Sequence, residues 1–152
     1  MKWQWKKMVP ILAVVLFVAI QLVPVNRSNP PVEADFDAPE AVAAVLRTAC
    51  YDCHSNETRW PWYSYVAPVS WLVAHDVEEA RSEFSFSHWG QLGEHERNEL
   101  REEIWEEVEE GEMPLAIYRL MHSEASLSQD QLDTLRDWAH STPAGETVRS
   151  ND

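Results

Sequence analysis

Every one of the 26 acidic residues lies at or beyond Glu33, whereas the seventeen positions from Val9 to Val25, VPILAVVLFVAIQLVPV, carry no charge at all. This division constrains the fold first, because the uncharged run wants an apolar surrounding and the acid-rich remainder wants water. Seventeen helical residues at about 1.5 Å each reach roughly 26 Å, the short end of what a bilayer core requires. Lys2, Lys6 and Lys7, the only lysines, precede the run. Such a start reads either as a cleaved secretory signal or as a retained signal anchor. Pro24-Val25-Asn26-Arg27-Ser28 offers no small-x-small pair ahead of a mature end, so a retained transmembrane helix is the expectation. Lysines before the span place the amino terminus in the cytoplasm. The expected location is therefore the inner (cytoplasmic) membrane, single-pass, with the folded part on the periplasmic side.

Residues 1–25 thus read as the anchor. Residues 26–36, NRSNPPVEADF, have two prolines and little apolar content, so they read as an extended stalk. The polar residues 141–152 read as a flexible tail. Residues 37–140 remain for one modest core. From Asn26 onward nine arginines face 26 acids, a balance of −17, which excludes a nucleic-acid partner because phosphates need a basic face.

Within residues 37–140 the apolar spacing is helical and no period-2 strand stands out. Asp37 with Glu40 forms a capping-box pattern ahead of Val42, Val45, Leu46 and Ala49, one buried stripe. A second helix is expected from Pro68 to Glu83, burying Val69, Leu72, Val73, Val77 and Ala80. A third covers Glu94–Glu110 with Leu100, Ile104 and Val108, and Gly111 is placed to end it. A short helical piece spans Leu115–Met121. The last helix follows Ser128, with Gln131 at the capping-box position, and buries Leu132, Leu135 and Ala139. The acid-rich stretch Glu102–Glu112 reads as a solvated helix face. The fold class is all-α, with four or five short helices after the anchor.

Only two cysteines occur, in Cys50-Tyr51-Asp52-Cys53-His54. A close pair can be a disulfide, a redox dithiol, half of a zinc site or a haem attachment. Zinc needs two more nitrogen or sulfur ligands, and there is no second Cys pair. A thioredoxin-like dithiol wants a βαβ scaffold, which is missing here. His54 decides the matter: in a c-type site two thiols add across the porphyrin vinyl groups and the next histidine is the proximal iron ligand. The expected cofactor is one covalently attached haem c, held by Cys50, Cys53 and His54.

The block His54-Ser55-Asn56-Glu57-Thr58-Arg59-Trp60-Pro61-Trp62-Tyr63-Ser64, then Ala67-Pro68-Val69-Ser70-Trp71-Leu72, resembles the bacterial haem-binding domain family. The likeness continues through Phe86-Ser87-x-Trp89 and Glu110-Gly111-Glu112-Met113-Pro114 to Trp138-Ala139. It covers about Ala38 to His140. The resemblance implies a small membrane-anchored protein with a cytochrome c-like domain around one haem. Leu115 departs from the pattern, where a second proline is common.

Met113, between a helix-ending glycine and Pro114, is the expected distal ligand, as in cytochromes c whose distal methionine occupies a late loop. His122 is the chief alternative, then an open site. Met121, in an apolar helical stretch, is expected in the core. Trp60 and Trp62 flank Pro61 directly after the attachment site and are expected to touch the porphyrin. Arg59 is a candidate partner for a propionate. Trp105 and Trp138 are expected to pack.

A His/Met-ligated iron leaves no vacant position, so the expected function is membrane-tethered, one-haem electron transfer and not catalysis. The alternatives are a haem-bearing accessory subunit of a larger membrane complex and an open-site oxidoreductase or sensor. Expected partners are membrane redox complexes or a basic redox protein, the latter drawn by the acidic surface.

Overall fold

The computed structural model describes residues 2–34 and 36–141; of the tail expected at 141–152, all but the first residue lies outside them. Among the described residues the regular structure is wholly helical: α1 (Lys2–Ile20), α2 (Glu40–Ala49), α3 (Tyr51–His54), α4 (Val69–Glu83), α5 (Glu94–Glu109), α6 (Ala116–Met121) and α7 (Gln129–Ala139). Three 3-10 turns, Trp62–Tyr65, Phe86–Gln91 and Ser123–Ala125, join them. Six α-helices follow α1 rather than four or five, because Tyr51–His54 forms the separate one-turn α3.

The expectation of an N-terminal transmembrane helix is corrected. Among the described residues no helix is long and apolar enough to cross a membrane. The 19-residue α1 spends its first turns on the lysine-bearing start and stops at Ile20, so only Val9–Ile20 of the uncharged run is helical. Twelve residues reach about 18 Å against a hydrocarbon core of about 30 Å. A single-pass location in the inner membrane, with a periplasmic domain, loses its basis with that helix.

The segment after α1 is laid along the domain by hydrogen bonds. Arg27 Nη1 donates to the Ser64 carbonyl (3.1 Å), Asn29 Nδ2 to that of Thr58 (2.9 Å), and the Glu33 and Ala34 amides both donate to Ser87 (3.1 and 2.9 Å). It ends with Phe36 inside the core.

The core is built by the stripes of α2, α5 and α7. Val42, Val45, Leu46 and Ala49 are all buried on α2, as their spacing predicts. Ile104, Trp105 and Val108 of α5 and Leu135, Trp138 and Ala139 of α7 close over them. The residue before α2 is Pro39, with no side-chain cap, so Asp37 does not act as the expected N-cap. On α7 the expected capping box forms, Ser128 Oγ accepting from the Gln131 amide and Gln131 Oε1 from the Ser128 amide. On α4 the helix is as expected but its face is not: Val69 and Leu72 are exposed, and Val77 is the buried apolar residue.

Aromatic rings fill the centre. Phe86, fully buried, stacks on Tyr51 (centroids 4.9 Å) and meets Phe36 edge to face (5.1 Å). Phe36 also contacts Trp89 and Trp138 at 5.0 and 5.9 Å. Phe86→Ala is expected to cost about 3–5 kcal/mol, read as a lowered denaturation midpoint, because no neighbouring ring can collapse into the space.

Candidate functional site

The Cys50–His54 motif sits at a helical break. Cys50 ends α2, its amide bonding the Leu46 carbonyl (2.8 Å), and the chain restarts as α3 with the Cys53 and His54 amides bonding back to Cys50 (3.2 and 2.9 Å). One helical turn therefore carries Cys50, Cys53 and His54 together. Both cysteines are free thiols. Burial, then the neighbouring Cys53, pushes the Cys50 thiol up to about 12. Burial, then Asp52 and Asp76, pushes Cys53 up to about 11, with Arg81 opposing. A reactive redox dithiol needs the opposite shift. Among the described residues no cluster of three or more His, Cys, Asp or Glu could hold a metal ion unaided.

His54 is fixed by Phe84, whose ring stacks on the imidazole at 4.2 Å with 16° between planes. Phe84 leans in turn on Phe86 (5.2 Å), which links the imidazole to the aromatic core. Burial lowers the His54 pKa, partly opposed by the nearby Phe84 and Ala80 backbone, and keeps the ring neutral. Its Nδ1 is enclosed and makes no hydrogen bond.

Met113 is placed by the end of α5. Gly111 adopts φ 79°, which an L side chain resists, and so turns the chain back. The Gly111 amide bonds the Val108 carbonyl (3.2 Å) and the Met113 amide bonds that of Glu107 (3.0 Å). The backbone of Met113 is thus tied to the last turn of α5.

A cavity of about 580 Å³ brings these parts together: Cys50, Cys53, His54 and Met113 all line it, with Phe84 and Tyr118. Glu79, Glu83, Glu103, Glu106 and Glu107 also stand on its wall, so part of the acidic face of α5 borders the site. The other expected site residues lie elsewhere. Arg59 is held by Asp52, its Nε 3.2 Å from Oδ1. Trp60 Nε1 donates to Asn29 Oδ1 (3.3 Å), and Trp62 is 73% exposed. None of the three lines the cavity. The extended Pro61 and the following 3-10 turn present Trp62 to solvent.

The alternative ligand His122 is engaged outside the cavity. Its Nε2 is 2.7 Å from Tyr63 Oη, its Nδ1 3.3 Å from Glu124, and its ring stacks on Tyr118 at 4.2 Å. Met121 is 55% exposed, not core as expected, and does not line the cavity. Met121→Ala is therefore expected to shift stability by no more than about 0.5 kcal/mol in a thermal melt. Phe84 and the role of Asp52 are what local motif reading misses, since both depend on partners brought near by the fold.

A free thiol pair, an imidazole and a thioether around one cavity suit an iron-bearing macrocycle, because nitrogen and sulfur donors match iron. The volume falls within the roughly 300–1,000 Å³ of small-molecule sites. The sequence model of the haem-binding domain family matches residues 15–141. The chain belongs to that family and is a haem-binding protein. No curated protein and no solved structure matches it.

Proposed function

We propose that this domain is a one-haem c-type electron carrier and not a catalyst. Cys50 and Cys53 hold the haem by thioether bonds, His54 is its proximal ligand and Met113 its distal one. The observation that supports this reading is the single cavity lined by all four side chains, which come from α2, α3 and the turn after α5. When bound, the haem supplies one-electron chemistry at iron, with a potential raised by methionine ligation.

The protein's residues keep the surroundings of that iron constant. Phe84 fixes the plane of the imidazole, and burial keeps it neutral. The Gly111 turn fixes Met113. Carboxylates on the cavity wall surround the site with negative potential, which suits a redox partner presenting a basic face.

The test is an optical spectrum of haem-loaded protein, oxidised and reduced, with and without carbon monoxide. A six-coordinate spectrum that carbon monoxide leaves unchanged is the expected result. Ready binding of carbon monoxide by the parent protein would replace the carrier reading with an open-site oxidoreductase or sensor.

A further inference from the structure

Six residues after Glu112 the chain passes through α6, and this helix has no buried residue. Ile117, Leu120 and Met121 are 57%, 82% and 55% exposed, so apolar packing does little to hold it. What does reach the domain is Tyr118, which lines the cavity. Its hydroxyl donates to Asp52 Oδ2 at 2.9 Å. Asp52 is a buried carboxylate on α3, between Cys50 and Cys53. Its other oxygen accepts from the Arg59 amide (3.1 Å) and from Arg59 Nε (3.2 Å), so the carboxylate is held in place from behind. The far side of the Tyr118 ring stacks on His122.

We propose that the Tyr118–Asp52 hydrogen bond is a latch that keeps α6, and with it the Met113 turn, closed over the cavity. Both ends of the site then hang from one short helix: α3 carries Cys53 and His54 directly, and through Asp52 it holds the segment that follows Met113. A hydrogen bond to a charged acceptor is the strong kind, and it ties α6 to α3, while the Tyr63–His122 contact (2.7 Å) holds only the C-terminal end of the helix. Opening of α6 is a local event, separable from unfolding of the α2–α5–α7 core. Tyr118 and Asp52 are positioning residues. The assignment of Met113 rests on the reading above, whereas the closure of α6 does not.

The experiment compares full-length, haem-loaded parent protein with Tyr118→Phe, which removes the hydroxyl and keeps the ring. Amide hydrogen exchange in residues 116–121 is expected to rise on the order of tenfold or more, while α5 and α7 keep parent rates. The ferrous variant is expected to take up carbon monoxide, which the parent excludes, with the haem still covalently bound. Asp52→Asn, which weakens the acceptor, is expected to give an intermediate rise. Added to Tyr118→Phe it should bring no further increase in α6, because the bond is already gone. Exchange in α6 within twofold of the parent in Tyr118→Phe overturns the latch, as does full additivity of the two substitutions. Faster α6 exchange with unchanged carbon monoxide uptake leaves the latch on α6 standing and removes Met113 from what it controls.

Discussion

Met113→Ala is expected to leave the haem covalently bound and to vacate its distal side. A thioether bound to ferric low-spin haem gives a weak charge-transfer band near the red edge of the visible spectrum, and that band should disappear. The reduction potential should fall, because methionine ligation is one of the levers that raises it. Carbon monoxide, excluded from the parent, should bind the ferrous variant fully. The effect should be specific to this residue. His122→Ala should leave all three observables unchanged, because His122 is committed to Tyr63 and Glu124 and does not line the cavity. If His122→Ala changes the spectrum and Met113→Ala does not, the ligand assignment is wrong.

The parts of the site that were legible in the sequence are those whose chemistry is local. Cys50, Cys53 and His54 share one helical turn, so spacing alone places them side by side. Met113 could be singled out because Gly111 and Pro114 mark irregular backbone, and Gly111 does take the left-handed conformation that ends α5. Phe84, Asp52 and Tyr118 were not legible as a group, because each acts through a partner brought near only by the fold. Trp60 and Trp62 do not line the cavity. Both follow the motif closely, yet Trp60 is half-buried with its Nε1 on Asn29, and Trp62, after the extended Pro61, is exposed.

The same distinction runs through the fold. Periodicity identified a buried stripe on α2, where all four apolar positions face the core. On α4 an equally regular stripe misjudged the buried side, because spacing shows that a face is apolar without showing what lies opposite it. Leu72 there is 44% exposed, and Ser70 is buried instead. In α1 hydropathy described the uncharged run correctly, but the helix stops at Ile20, and length of helix rather than length of run decides whether a bilayer can be crossed.

The larger of the two expected effects belongs to the thiols. Protein matured in a host that attaches haem covalently should keep its haem stain through denaturing electrophoresis, and acid-acetone should fail to extract the pigment. In Cys50→Ser/Cys53→Ser the covalent signal should fall to zero, since these are the only cysteines in the chain. Serine preserves size and removes the sulfur, so the helical turn and the His54–Phe84 stack have no reason to change. Any haem that still binds should do so reversibly, through His54 and Met113 alone, and should be lost on denaturation. Retention of the stain in the double variant would end the c-type reading altogether.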